Sequence, residues 1–489
     1  MIKITIDEKE IEVEEGITIL QVAEKVGIDI PRLCYHPSLE PEGSCRMCLV
    51  EIKNLPNLQL ACATQIKDGM EIETNNPRVQ EARKSVLEFL TVGHPLDCPI
   101  CDKAGECKLQ DYYYCYGLFD DQFVEDKQKK EKLIRLGKNL ILDQERCILC
   151  TRCVRFLRKI TKTEDLGIIN RGKNSLVSVY EQELIDNNYS GNLVDICPVG
   201  AITDLDFRFK IRTWFLEQKE SICPLCSRGC NIKIHFLPDL FRFENKKRVY
   251  RITPVSNPEI NDYWICDLGR YNYHYIDQDR ILSPAKRINN QLKEISWQEA
   301  FSQIGKEIRI ISRRKREDEV GVLVNLSMTN EEFQMVKEFF QDRLHIKEIR
   351  VIKKKEDKGD DFLLTSDRNP NAKGAKKRGF KEKKFNLKNF IDQKEIIFIF
   401  GQEVIEYYPI ELIKETFSKV KTKVLITHHQ GELVSLVDYL LPSTVIPEKE
   451  GSLTNFQGKI QKINKALEPL GGSKPESKII TELAEQIRK

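Results

Sequence analysis

Sixteen cysteines, all between Cys34 and Cys266, are the residues of this chain with the most chemistry to offer, and they fall into groups. The tightest is Cys147-Ile-Leu-Cys150-Thr-Arg-Cys153, joined far downstream by Cys197-Pro198. Three thiolates at C-x2-C-x2-C spacing can cap three irons while a remote Cys-Pro supplies the fourth ligand, a [4Fe–4S] pattern that zinc rarely uses. A single Cys-Pro of this type predicts one cluster here, not a pair. Upstream, His94, Cys98, Cys101 and Cys107 are close enough in sequence to wrap one compact ion or cluster. Cys3His is also a good zinc set, but its place between two other cluster motifs favours [4Fe–4S]. An imidazole in place of a thiolate would reduce the negative charge around such a cluster, the lever by which histidine ligands raise potentials.

Cys34, Cys45, Cys48 and Cys62 form a further set. Cys45-Arg-Met-Cys48 reads as a close pair gripping one iron of a [2Fe–2S] centre while the flanking cysteines hold the other, with structural zinc as the alternative. Cys223-Pro-Leu-Cys226-Ser-Arg-Gly-Cys230, completed by Cys266, suits another [4Fe–4S] centre, and its loose last spacing leaves zinc open. Cys115, in Tyr112-Tyr-Tyr-Cys115-Tyr116, is left over and reads as a buried small apolar residue. The chemistry implied is conduction of single electrons, with no catalytic residue and no molybdenum. No G-x-G-x-x-G opens a strand-to-helix turn, so no NADH site is expected.

The elements that must position these ligands are mixed. Residues 1–76 read as a β-grasp [2Fe–2S] head: a hairpin over residues 2–6 and 11–14, a helix over 18–26 and a closing strand over 70–74. Residues 77–135 carry the His94 set after a helix over 77–90 that opens on Pro77. Residues 136–215 carry the Cys147 set as a ferredoxin-like segment, and 216–272 the Cys223 set. Residues 273–489 alternate as an α/β layer, with strands over 321–326, 396–401 and 423–427 and helices over 330–340 and 410–420. The fold class is therefore α+β and α/β, multidomain.

The whole-chain quantities agree. At 489 residues the chain should form about three to five domains. Its 78 basic residues nearly cancel 75 acidic ones, and a net charge of +3 makes no case for nucleic acid as the main partner. Grouped cysteines in a long chain indicate metal ligands in a reducing compartment. The N-terminus alternates as a strand does and lacks the apolar stretch of a secretory signal, so export by that route is not expected. No run of about 18 apolar residues occurs, so membrane association is expected through partners only. Arg313-Arg-Lys-Arg316 and Lys353-Lys-Lys355 are each followed by acids and suit solvated faces. Lys376-Lys-Arg378 and Lys381 to Lys384 read as a more one-sided basic loop, solvated or docking an acidic partner.

The order of the four ligand sets resembles that of the large iron–sulfur subunit of NADH:quinone oxidoreductase, respiratory complex I. Pro31-Arg-Leu-Cys-Tyr-His36, Gly43-Ser-Cys-Arg-Met-Cys48 and Asp97-Cys-Pro-Ile-Cys101 match it around the ligands. Gly269-Arg270, Arg280-Ile-Leu-Ser-Pro284 and Ile295-Ser-Trp-Gln-Glu-Ala300 are similar to the opening of the molybdopterin-oxidoreductase domain. Thr365-Ser-Asp-Arg-Asn-Pro370-Asn-Ala-Lys-Gly374 and Glu448-Lys-Glu-Gly-Ser-Leu-Thr-Asn455 resemble further complex I segments.

The resemblance implies one [2Fe–2S] and three [4Fe–4S] clusters. Electrons would enter at the Cys34 set from a flavin-bearing, NADH-oxidising subunit, pass to the Cys147 set and then the His94 set, and leave toward quinone-proximal iron–sulfur subunits. It also implies a peripheral place on the cytoplasmic face of a bacterial inner membrane. The Cys223 set belongs to only some bacterial members and lies off the main route. The α/β body is shorter than the family's and has no cysteine to ligate molybdenum, which makes it a scaffold. An electron-transfer subunit of an NAD-linked hydrogenase or formate dehydrogenase would share the first three clusters, and a zinc-rich interaction scaffold is the reading from another class.

Overall fold

A computed structural model describes residues 1–117, 126–180, 183–241, 247–382 and 385–488 and divides the chain into two compact units, Met1–Phe215 and Leu216–Lys489. The first unit opens on a hairpin of β1 (Ile2–Ile6) and β2 (Lys9–Val13), with Ile2 opposite Val13 and Ile6 opposite Lys9. Asp7 and Glu8 turn the chain with φ of 46° and 67°, the left-handed pair that a two-residue hairpin loop needs to match strand twist. A helix over Ile19–Lys25 starts at Thr18, whose hydroxyl accepts from Gln21 N while its own N–H donates to Gln21 Oε1, a capping box. With β3 (Leu49–Ile52), β4 (Gln59–Leu60) and β5 (Glu71–Glu73) the sheet order is β2-β1-β5-β3-β4, and β1 and β5 run parallel. This is a β-grasp head, and its apolar core of Ile4, Ile6, Leu20, Val50 and Ile72 includes Cys48 and Cys62.

The helix expected over residues 77–90 runs over Pro77–Val92. Asn76 accepts from Val79 N, and Pro77 sits where its missing N–H costs nothing. Val79, Arg83, Leu87 and Thr91 recur every four residues and face inward. The buried Arg83 guanidinium donates to Leu49 O at 3.2 Å and Thr74 O at 2.8 Å, tying this helix to the head. The rest of the unit consists of short pieces. β6 (Ile134–Arg135), β7 (Leu140–Leu142) and β10 (Ile202–Asp204) form one small sheet, and β8 (Leu166–Ile169) and β9 (Leu176–Val179) form a hairpin. Helices over Lys108–Tyr116, Arg152–Phe156 and Asn192–Ile196 carry or adjoin ligands. Cys115 corrects the sequence reading: Leu109 and Tyr112 occupy the inward face of its helix, and Cys115 itself is exposed.

The second unit begins with a meander of β11 (Glu217–Ile222), β12 (Asn231–Phe236) and β13 (Val249–Pro254). A seven-stranded sheet follows, made from β14 (Ala285–Ile288), β15 (Gln291–Glu294), β16 (Val320–Asn325), β17 (Ile349–Ile352), β18 (Ile396–Phe400), β19 (Thr422–Thr427) and β20 (Tyr439–Pro442) in the order β15-β14-β20-β19-β18-β16-β17. β16 to β20 are parallel, and β18 and β19 are buried at every position, as strands covered on both faces must be. Val322, Val324, Phe398 and Phe400 feed one core and Leu323, Ile397 and Ile399 the other, the period of two expected of strands. The helix expected over 330–340 is α-helical over Asn330–Val336 and π-helical over Lys337–Arg343, and that expected over 410–420 ends at Phe417.

The two late sequence segments act as internal staples. Asn371 donates to Met328 O at 2.8 Å and accepts from Thr454 N at 2.8 Å, joining the first segment to the hairpin of β21 (Gly451–Thr454) and β22 (Ile460–Ile463). Glu448, fully buried, takes Arg248 at 2.6 Å and Arg280 at 2.7 Å. Removing that carboxylate would break the buried Arg280 pair, which costs about 3–5 kcal/mol, while Arg248 keeps Asp277 at 2.6 Å. Part of the basic run is also tied down: Lys376 and Lys377 end a helix over Ala372–Lys377, and Arg378 donates to Asn330 Oδ1 at 2.9 Å. Lys383 and Lys384 lie outside the described residues. Among the described residues no helix is long and apolar enough to cross a membrane.

Candidate metal centres

The Cys34 set lies in the head, with Cys48 just before β3 and Cys62 just after β4, where Ala61 N donates to Cys48 O at 2.9 Å. All of its thiols are buried. Their pairing differs from the sequence expectation. Cys34 hydrogen-bonds Cys45, and Cys48 hydrogen-bonds Cys62. Cys45 and Cys48 are near neighbours in sequence but part from each other at Arg46, whose left-handed φ of 58° turns the loop. Two thiol pairs suit two irons with two protein ligands each. The Cys45 hydrogen bond holds the Cys34 thiol down at about 5 and raises that of Cys45, so each pair favours holding a proton between its sulfurs.

His94 follows the Pro77–Val92 helix, and Lys127 Nζ donates to its carbonyl at 2.9 Å. Burial pushes its imidazole down to about 4, keeping it neutral as a ligand must be, and its buried Nδ1 has no hydrogen-bond partner among the described residues. Cys98 and Cys101 flank a 3-10 turn over Cys98–Ile100, and Cys107 opens the Lys108–Tyr116 helix. These four residues and Gly200 line a cavity of about 240 Å3. A Cβ on Gly200 would collide with Cys101 Sγ, so only glycine lets the chain pass so close to that sulfur. An orphaned ring nitrogen and three thiols around a cavity of this size fit a [4Fe–4S] cluster.

Cys147, Cys150, Cys153 and Cys197 line one aliphatic cavity with Leu142, Val177 and Ile202. Leu149 and Thr151 adopt left-handed φ of 52° and 61°, which curls the triplet so that its sulfurs share one side. Burial pushes the Cys147 thiol up to about 11 and the Cys150 thiol up to about 12. Loading metal on such neutral thiols releases their protons.

In the second unit, Cys223 follows β11, Cys230 precedes β12, and Cys223 N donates to Cys230 O at 2.9 Å. Cys266 caps the helix over Asp267–Tyr271, its Sγ accepting from Gly269 N at 3.4 Å. The Cys230-to-Cys266 interval is long because it contains β12 and β13. All four thiols of this set are buried and mutually interacting.

Arginines link the first three sets, and their roles were not evident from the sequence. Arg152, inside the triplet motif, donates to Tyr35 O at 2.5 Å and Ile196 O at 3.0 Å. Its charge acts on Cys150, Cys197, Cys34 and Cys45. Arg155 donates to Cys34 O at 2.5 Å and Cys150 O at 3.2 Å. Arg146, beside Cys147, holds Asp97, beside Cys98, at 2.6 Å. Cys107 Sγ approaches Pro198 O at 3.7 Å. The Cys147 set is therefore bonded to the Cys34 set on one side and the His94 set on the other.

Family models match along the chain: "2Fe-2S iron-sulfur cluster binding domain" over residues 1–77, "NADH-ubiquinone oxidoreductase-G iron-sulfur binding region" over 83–121, and "NADH-quinone oxidoreductase subunit 3, ferredoxin-like domain" over 137–203. "Molybdopterin oxidoreductase" matches over 280–362 and 359–486. The NADH-ubiquinone oxidoreductase 75 kDa subunit of Reclinomonas americana is 41% identical over 67% of this chain and 46% of its own length. The chain belongs to the family of the large iron–sulfur subunit of NADH-quinone oxidoreductase. The corresponding NADH-quinone oxidoreductase protein of Rickettsia bellii is likewise 41% identical, over 70% of this chain and 48% of that protein. The mitochondrial NADH dehydrogenase [ubiquinone] iron-sulfur protein 1 of Solanum tuberosum is 38% identical over 67% of this chain and 43% of that protein. This member of the family thus spans about half the length of the curated relatives it matches. A chain in the crystal structure of an NAD+-reducing [NiFe]-hydrogenase in the H2-reduced state is 31% identical, with a TM-score of 0.40, over 43% of this chain and 91% of that one.

Proposed function

We propose that this chain is the iron–sulfur electron-transfer subunit of an NADH:quinone oxidoreductase, seated peripherally on the cytoplasmic face of a bacterial inner membrane. Its partners are a flavin-bearing, NADH-oxidising subunit and quinone-proximal iron–sulfur subunits. Cys34, Cys45, Cys48 and Cys62 hold a [2Fe–2S] group. The His94, Cys147 and Cys223 sets each hold [4Fe–4S], and no molybdenum is bound. When bound, these groups supply one-electron carriers whose potentials follow ligand type, hydrogen bonding and burial. The chain's own part is to keep the sulfurs dry, to fix the imidazole neutral and to hold successive sites together. The observation that carries the reading is the bonding of the Cys147 set to both neighbouring sets, through Arg152 and Arg155 to one and through Arg146 and Pro198 to the other. The order Cys34 set, Cys147 set, His94 set makes one line of sites.

Anaerobically purified protein is expected to carry about fourteen irons with matching acid-labile sulfide and no molybdenum or tungsten. Stoichiometric zinc with little iron, by mass spectrometry of the metals, would replace this reading with that of a zinc-bound scaffold. His94→Cys is expected to keep a cluster at lowered potential, since a thiolate adds negative charge, whereas His94→Ala opens one iron to solvent and makes the cluster labile. A redox titration unchanged in the cysteine variant would show that His94 is no ligand.

A further inference from the structure

The parallel sheet of the second unit changes its direction of winding between β16 and β18: β17 lies on one side of β16 and β18 on the other. At such a point the loops leaving the carboxyl ends of the strands diverge, and ligands of open α/β sheets sit in the crevice between them. A cavity of about 190 Å3 occupies this place, walled by Asn325 at the end of β16, Ser327 just beyond it and Glu403 beyond β18. Ser443 and Thr444, following β20, close it.

Two polar atoms in this wall, Ser443 Oγ and Thr444 Oγ1, are buried with no hydrogen-bond partner among the described residues. Ser443 and Thr444 are each only 1% exposed, so water does not relieve them from outside. Each such atom costs roughly 1–3 kcal/mol if left unpaired, and two in one cavity point to a group that the chain itself does not supply. The cations at the wall differ in kind. Lys449 is committed to Glu332 at 3.0 Å and Glu476 at 2.5 Å. Lys354 lines the same cavity and makes no ion pair within 4.0 Å among the described residues. Burial raises the Glu403 carboxyl, against the lowering by the Lys354 charge and by its hydrogen bond with Asn325.

We propose that this cavity binds a small oxyanion, with the Lys354 ammonium supplying the charge and the Ser443 and Thr444 hydroxyls donating to its oxygens. Its volume of about 190 Å3 lies below the roughly 300–1,000 Å3 of pockets for drug-sized ligands, so the occupant is smaller than a nucleotide. Phosphate and a short carboxylate share the required chemistry.

The test is calorimetric titration of the full chain, purified anaerobically without phosphate, with inorganic phosphate and with acetate at constant ionic strength. Saturable binding of either is expected, and which of the two saturates identifies the source of the oxyanion. Lys354→Ala should weaken it at least about tenfold through loss of a charge-assisted bond. That variant keeps the fold, because the Lys354 contacts to Asn369 and Tyr407 run through its backbone. Ser443→Ala combined with Thr444→Val should weaken binding while leaving iron content unchanged. The proposal is overturned if neither anion saturates, or if the Lys354→Ala protein binds as tightly as the parent.

Discussion

In protein carrying Cys48→Ala and assembled with its partners, NADH-to-quinone activity should fall to background, while NADH oxidation by an artificial acceptor that draws electrons at the flavin persists. Cys48 is 1% exposed and paired with Cys62 inside the head's apolar core. Its loss takes one thiolate from one of the two pairs, and a methyl group cannot replace it as a ligand. On the proposed route the Cys34 set is the entry to the line of sites, so a lesion there should stop everything beyond it. Assembly is the control: metal binding and folding are coupled, so subunit content must be measured alongside activity. Quinone reduction retained in an assembled complex that spectroscopy shows to lack the [2Fe–2S] signal would refute this entry point.

The second large effect is expected at Arg152, which contacts no cofactor ligand through its own side chain except electrostatically. Arg152→Leu removes a positive charge that acts on thiols of two sets and takes away a hydrogen bond to Tyr35 O and another to Ile196 O. At the effective dielectric of about 20 typical of protein sites, a unit charge beside both sets is only partly screened. Its loss makes each added electron less favourable, so the midpoints of both the Cys34 and the Cys147 clusters should move down together, by on the order of tens of millivolts. Arg152→Lys keeps the charge but loses the fork, so the midpoints should largely recover while the two loops stay less firmly joined. Potentiometric titration followed by electron paramagnetic resonance reads both clusters in one sample. Unmoved midpoints in Arg152→Leu would remove Arg152 from any role in coupling them.

The groups of candidate ligands stand out in the sequence because chelation is local. In Cys147-Ile-Leu-Cys150-Thr-Arg-Cys153 the spacing alone limits where the sulfurs can go, and the same holds for His94, Cys98, Cys101 and Cys107. The strands were legible for a similar reason: the alternation in β1 and the unbroken apolar run of β18 report burial on one face or on two. Nearest-neighbour reasoning failed where the chain turns back on itself. It paired Cys45 with Cys48, whereas the turn at Arg46 sends them to different partners. It also buried Cys115, which lies exposed on its helix while Leu109 and Tyr112 take the inward face.

The sequence by itself determined which atoms could bind metal and which strands must be buried, since both follow from residue type and short-range period. Only the tertiary structure decided what lies between the ligand sets. The Arg152 bond to Tyr35 crosses 117 residues and the approach of Cys107 to Pro198 crosses 91. Contacts at such separations depend on how whole elements pack, and no local pattern of charge or hydrophobicity encodes them. The cavity beyond β16 and β18 is of the same kind: Glu403, Ser443 and Lys354 are unremarkable in sequence and share a wall because the strand order reverses beside them.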